Sequence, residues 1–106
     1  MTRNNSVARW LRDMSAASLR LAESDPRGAS YYRGVAVLYQ NRAKDIEGME
    51  PLDGDAIARW FDERAAHRDA VASEDAENPE SFHRMVAILY RARATDIRAG
   101  MDQAHA

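Results

Sequence analysis

The chain has 106 residues, a formal net charge of -2 and no cysteine. This length suits about one domain, and the lack of thiols excludes disulfides, thiolate zinc sites and cysteine catalysis. The near-neutral charge argues against a dedicated nucleic-acid binder, and no apolar run has the length of a membrane span. We therefore expect a cytoplasmic protein with no cofactor and no membrane contact.

The first predicted helix starts near Asn5 or Ser6, because either side chain can cap a helix. Apolar and small residues then recur at spacings of three and four, which is typical of one face of an amphipathic helix. These predicted inward residues are Val7, Trp10, Leu11, Met14, Ala17, Ser18 and Leu21.

A second helix is predicted from about Pro26 to Glu47, ending near Gly48. Asp25 supplies a capping side chain, and proline is well suited to the first helical position. The residues expected to face inward are Tyr32, Val35, Leu38, Tyr39 and Ile46.

The second half of the chain repeats the first. The segment 7–11 returns as 57–61, and the segment 33–46 returns as 84–97. Such a match indicates a duplicated unit of roughly fifty residues. We place the repeats at 6–49 and 56–101, joined by the linker 48–55 with Asp55 as the next helix cap. Helices three and four are expected at about 56–75 and 79–100, with Asn78 and Pro79 before the fourth.

Four helices joined by short connections predict an all-α fold, an antiparallel four-helix bundle built from two duplicated helical hairpins. We treat residues 1–106 as a single domain. An intertwined homodimer, in which each hairpin packs against another chain, remains open as the alternative.

Charged and aromatic residues kept in both halves are predicted to form two equivalent clusters, because antiparallel geometry brings the end of one helix beside the start of its neighbour. One interpretation is structural, with each aspartate paired to an arginine and each indole covering a guanidinium. The other is a paired anion site that uses the arginines. The clusters are Arg9, Trp10, Arg42 and Asp45, and Arg59, Trp60, Arg93 and Asp96.

Helix three loses the apolar stripe of helix one in its second half. Arg64, His67, Arg68 and Asp69 stand where helix one has Met14, Ala17, Ser18 and Leu19. This polar stretch indicates either a solvated face or a surface for a partner. Glu63, His67 and His83 are weak candidates for a metal site, but no paired ligand motif accompanies them, and no metal is predicted.

A basic stripe is expected on helix four, where Arg84, Arg91 and Arg98 recur every seven residues. The turn before it carries acidic residues, and Glu80 stands four residues before Arg84, an order that favours a helical ion pair. A solvated face is the favoured interpretation, because the acidic turn opposes the approach of phosphates. The acidic residues are Glu74, Asp75, Glu77 and Glu80.

The expected function is a non-enzymatic protein-interaction or adaptor module that presents helix faces to a protein partner or to a second copy. Tyr31 is the favoured surface anchor, since core packing better explains Tyr32 and Phe82. The partner surface would also include Arg64, Arg68, Arg84, Arg91 and Arg98. Alternatives are a small-ligand or anion-binding regulatory bundle that uses Arg42 and Arg93, and a phage or mobile-element accessory protein acting on a host complex. No catalytic motif supports an enzyme.

Overall fold

A computed structural model describes residues 2–74 and 82–104 of the chain. Within these ranges the helices are α1 (Arg3–Ser24), α2 (Ala29–Glu47), α3 (Gly54–Glu74) and α4 (Phe82–Arg98), followed by a short 3-10 turn (Met101–Gln103). α1 packs against α2 and α3 packs against α4. The predicted all-α fold of two helical hairpins is confirmed, and the close pairing is that expected of hairpins in a four-helix bundle.

The chain divides into two compact units, each containing one hairpin. The first hairpin is the unit Met1–Leu52 and the second hairpin is the unit Asp53–Ala106. The boundary between them lies within the predicted linker 48–55. None of the helices in the described ranges has both the length and the apolar character needed to cross a membrane.

The predicted start of helix one is wrong by a few residues. Thr2 is the N-cap, since its hydroxyl accepts a hydrogen bond from the backbone N–H of Asn5 at 3.2 Å. The N–H of Ser6 already donates to the carbonyl of Thr2 at 3.1 Å. Asn5 and Ser6 therefore lie inside the first turn, where they cannot act as the cap.

The predicted start of helix two is also wrong, and α2 begins at Ala29 rather than Pro26. Asp25 still belongs to the end of α1, because its N–H donates to the carbonyl of Leu21 at 2.9 Å. The next residues reverse the chain, and Gly28 allows a close approach: a β-carbon there would lie 2.8 Å from the ring of Tyr32. The cap that sequence placed at Asp25 thus closes the preceding helix.

The second hairpin begins with a cap two residues earlier than predicted. The carboxylate of Asp53 accepts a hydrogen bond from the N–H of Ala56 at 2.8 Å, whereas Asp55 lies in the first turn of α3. An acidic residue is favourable at both positions, since each lies near the positive end of the helix dipole. The predicted cap of helix four, Asn78 with Pro79, lies outside the described residues.

Small side chains form the centre of each helix–helix contact. Ser15 is fully buried, and its hydroxyl donates to the backbone carbonyl of Ala36 on the facing helix at 2.8 Å. Such a bond requires the two helix backbones to approach closely, which small residues allow. Alanines are buried at equivalent positions of the two hairpins, and we call them the alanine seam. Its members are Ala8, Ala36 and Ala43 in the first hairpin and Ala58, Ala87 and Ala94 in the second.

Larger side chains surround the alanine seam at equivalent positions in the two hairpins. Val35, Leu38, Tyr39 and Ile46 are buried as predicted, and Phe61 packs against Tyr90 with ring centroids 5.7 Å apart. The apolar stripe of α1 is wider than the contact with α2, so only part of it is covered. Val7, Leu11 and Ser18 are buried, whereas Trp10, Met14 and Ala17 are half-buried. The inward placement of Leu21 is wrong, since 48% of the residue is exposed.

The side chain of Asn4 links the start of α1 to the end of α2 and the segment that follows it. Its side-chain N–H groups donate to the carbonyls of Ile46 at 3.1 Å and Glu50 at 3.0 Å, and its carbonyl accepts from the N–H of Leu52 at 2.9 Å. The second hairpin has Gly54 at the position of Asn4. There the chain after α4 turns through Gly100, whose φ of 78° favours glycine, and buries Asp102.

Replacing Asn4 with alanine should lower the free energy of unfolding by about 2 to 3 kcal/mol, because three backbone groups lose a partner, one of them buried. Asn5→Ala is the matched control: Asn5 is exposed, and its replacement should change stability by less than about 0.5 kcal/mol. Urea unfolding followed by circular dichroism measures both variants. Equal losses in the two variants would contradict the role assigned to Asn4.

Candidate functional site

The first hairpin carries an apolar groove between α1 and α2, close to the turn that joins them. Its volume is about 240 Å³. Leu21 and Tyr31 stand at its rim, 48% and 38% exposed. We call this surface the apolar groove; it is lined by Met14, Ala17, Ser18, Leu21, Tyr31, Tyr32, Val35 and Tyr39.

The polar atoms of the apolar groove are few, and one is already engaged. The Ser18 hydroxyl donates to the backbone carbonyl of Tyr32 at 2.7 Å. The rings of Tyr31 and Tyr32 contact each other, with centroids 5.3 Å apart and an interplanar angle of 59°. The groove therefore offers aromatic and aliphatic surface with hydroxyls at its edge, a composition typical of protein-binding surfaces.

Four of the eight corresponding positions of the second hairpin, among them Arg64, Arg68 and His83, carry basic or imidazole side chains. Phe82, another of these positions, is 44% exposed, so the core packing predicted for it is wrong. The guanidinium of Arg64 lies over the ring of Trp60, with its carbon 4.3 Å from the centroid. Arg68 lies 2.9 Å from Nδ1 of His83. A guanidinium has no acceptor, so the histidine nitrogen must accept this hydrogen bond. The second hairpin thus places ionic and polar contacts where the first has its groove.

The arginine–aspartate pairs predicted in both clusters are present. Nε of Arg42 lies 2.9 Å from the carboxylate of Asp45, and Nη2 of Arg93 lies 3.0 Å from that of Asp96. Both arginine side chains are only 16% exposed. Each pair lies within one helix at a spacing of three residues, so each guanidinium has a carboxylate beside it.

The aromatic and remaining basic members of these clusters are arranged differently. Trp60 covers a guanidinium, as the structural interpretation predicted. This guanidinium belongs to Arg64, which is not a member of the predicted cluster. Arg59 lies 3.6 Å from Asp55 at the exposed start of α3. In the first hairpin Arg9 is exposed and Trp10 is half-buried.

The predicted basic stripe on α4 is largely paired with carboxylates of α3. Arg91 contacts Asp69 at 2.5 Å, and Arg98 contacts Asp62 at 2.8 Å. Arg84 is exposed. These pairs reduce the positive charge that the stripe can offer to a partner. Three acidic residues predicted in the turn before the basic stripe, Asp75, Glu77 and Glu80, lie outside the described residues.

The weak metal candidates do not form a group. Within residues 2–74 and 82–104, no three histidine, aspartate or glutamate side chains are placed to hold a metal ion. Glu63 and His67 are exposed. His83 uses Nδ1 for the hydrogen bond from Arg68, so that nitrogen is not open to a metal.

Two features of the first hairpin were not predicted from the sequence. The apolar groove arises from the uncovered flank of α1, and the contrast between Met14 and Arg64 at equivalent positions was its signal. The other is an ion pair across the hairpin between Arg12 and Glu47. Arg12 also borders a polar groove of about 480 Å³ with Gln40, Asn41 and Lys44.

Comparison of the chain with protein-family models, with curated proteins and with solved structures finds no match. Function must therefore be inferred from the surface of the chain itself. The apolar groove is the feature with the clearest binding chemistry, because it combines concave shape with exposed aromatic and aliphatic side chains.

Replacing Asp45 with alanine should lower the free energy of unfolding by about 1 to 2 kcal/mol, because it removes the carboxylate beside the mostly covered guanidinium of Arg42. Arg59→Ala is the control, since its pair with Asp55 is exposed on both sides and should contribute less than about 0.5 kcal/mol. Thermal and urea unfolding compare the two. A loss for Asp45→Ala no larger than that for Arg59→Ala would contradict a structural role for the pair.

The hydrogen bond from Arg12 holds the pKa of Glu47 below its usual value, and the positive charge of Arg12 adds to this effect. Because the folded-state pKa is lower than the unfolded one, the pair stabilises the fold above the unfolded pKa. This contribution is lost as the pH falls through the folded pKa. We expect Arg12→Gln to return the pKa of Glu47 toward its usual value.

An NMR titration of the side-chain carboxyl carbon measures this pKa. Arg20→Gln, which changes another exposed arginine of α1, should leave the titration of Glu47 unmoved. An identical Glu47 titration in the wild type and in Arg12→Gln would show that the ion pair does not persist in solution.

Proposed function

We propose that the protein is a non-enzymatic interaction module whose first hairpin binds a helix of a partner protein through the apolar groove. The partner helix would insert one or two apolar side chains between Leu21 and Tyr31. The observation that carries this proposal is the groove itself, an uncovered apolar surface with exposed anchors on both of its helices.

The size of the groove supports a protein partner over a small molecule. Its volume of about 240 Å³ is below the roughly 300 Å³ at which small-molecule pockets begin. Such a space accommodates one or two apolar side chains of a partner better than a cofactor. Tyrosine at the rim is typical of protein interfaces, since it offers a large rigid contact area and a hydroxyl.

The alternative of an anion-binding bundle receives less support. Arg42 and Arg93, the arginines that it requires, each have an aspartate of their own helix at about the same distance. An anion would have to compete with a carboxylate fixed beside each guanidinium.

A photo-crosslinking amino acid, benzoylphenylalanine, placed at position 31 tests the proposal in the source cells. We expect a discrete adduct with a partner protein, and Leu21→Glu should reduce its yield at least tenfold by placing a charge at the groove rim. A product of twice the mass of the chain would identify the partner as a second copy.

Two matched controls use the second hairpin. Benzoylphenylalanine at position 82, which corresponds to position 31, should not give the same adduct. Val71→Glu, which corresponds to Leu21→Glu, should leave the adduct of position 31 unchanged. Absence of an adduct at position 31, or an adduct insensitive to Leu21→Glu, would contradict binding through the groove.

A further inference from the structure

The ion pair that joins the two helices of each hairpin has opposite polarity in the two halves of the chain. In the first hairpin Arg12 of α1 pairs with Glu47 of α2. In the second hairpin the equivalent pair is Asp62 of α3 with Arg98 of α4, at 2.8 Å. Position and contact are retained, and only the signs of the charges are exchanged.

This reversal matters because many buried residues of the two hairpins are alike, although Phe61 and Ala65 stand where the first hairpin has Leu11 and Ser15. Val7 and Ile57 are equivalent and fully buried, and so are Ile46 and Ile97. The alanine seam is likewise repeated at equivalent positions in both hairpins. These shared residues therefore contribute little to the choice between the observed pairs and the pairing of α1 with α4 and α3 with α2.

The charges distinguish these alternatives. Pairing α1 with α4 would bring Arg12 against Arg98. Pairing α3 with α2 would bring Asp62 against Glu47. Each exchange replaces an attractive contact with a like-charge contact in the same place.

A second layer of charge near the other end of the hairpins acts in the same direction. In the second hairpin Asp69 of α3 pairs with Arg91 of α4 at 2.5 Å. The equivalent positions of the first hairpin hold Leu19 and Gln40, which are uncharged. An exchanged pairing would place each charged residue opposite an uncharged one and lose this ion pair.

We propose that the reversed ion pairs form a pairing code that selects the partner of each helix, both within one chain and between two copies. A second copy of the chain can then exchange helices only like for like, α1 with the α2 of its partner. Single exposed ion pairs contribute little to stability. The selection arises from the difference between right and wrong pairings. An exchange loses three ion pairs and gains two like-charge contacts, which together change the ratio of the two pairings by on the order of tenfold.

The test uses a thiol-crosslinking reporter, which the cysteine-free chain makes possible. Leu19→Cys with Gln40→Cys places thiols at the positions equivalent to Asp69 and Arg91, whose long side chains meet in the other hairpin. A short flexible bismaleimide added after refolding therefore traps the chain when α1 is paired with α2. The reporter is placed in the wild type and in the double variant R12D/E47R, which gives the first hairpin the polarity of the second. Each hairpin keeps an ion pair, so both proteins should retain their helical circular dichroism.

We expect the ratio of trapped to untrapped chain to fall at least tenfold in R12D/E47R at low salt. The quadruple variant R12D/E47R/D62R/R98E should restore it, because the two polarities are again opposite. Intrachain and interchain crosslinks are separated by mass. Equal trapping in the wild type and in R12D/E47R would overturn the proposal.

A second measurement needs no change of charge. Refolding of the reporter protein in about 1 M sodium chloride, where charges are screened beyond about 3 Å, should lower the trapped ratio toward that of R12D/E47R. A ratio independent of salt would also overturn the proposal. If the ion pairs were only structural, R12D/E47R and the quadruple variant would both keep the stability and the helix pairing of the wild type, because each hairpin still has an ion pair.

Discussion

The close approach of two helices along a line of alanines is the constraint on which each hairpin depends. The alanine seam leaves so little space that the hydroxyl of Ser15 reaches the backbone carbonyl of Ala36. Close contact over this length also buries the larger residues around the seam. The same plan serves both hairpins, because alanine or a comparably small residue stands at each equivalent position.

A narrow seam also brings the flanks of the two helices within reach of each other, and the two flanks have different roles. On one side charged side chains cross between helices, as Arg12 does toward Glu47. On the other side α1 carries more apolar residues than α2 can cover, and the excess, including Met14 and Leu21, lines the apolar groove. Ion pairs and groove thus follow from one geometry, since both lie at the edges of the same close contact.

The structure could be predicted from the sequence where a periodic pattern determines it, but not where a single local contact determines a helix end or a surface. Helix periodicity and the repeat predicted two hairpins and most of the buried residues of α2. Helix ends were displaced, because Thr2 and Asp53 were better placed to cap than the residues chosen. The groove could not be predicted from periodicity, since an amphipathic stripe does not reveal how much of it the partner helix covers. The reversed ion pairs could have been predicted by aligning the repeats, because Asp62 then stands at the position of Arg12 and Arg98 at that of Glu47.

The differences between the hairpins follow from the size of a few side chains on α1 and α3. Ala17 and Ser18 are short, and the Ser18 hydroxyl is satisfied by a carbonyl of α2, so space remains between the helices. At the position of Ser18 the second hairpin has Arg68, whose long side chain reaches His83 on α4. Arg64 covers Trp60 in the same region. One plan of helix pairing thus supports an open apolar surface in one half and a polar, ion-paired surface in the other, and the proposed binding uses only the first of these surfaces.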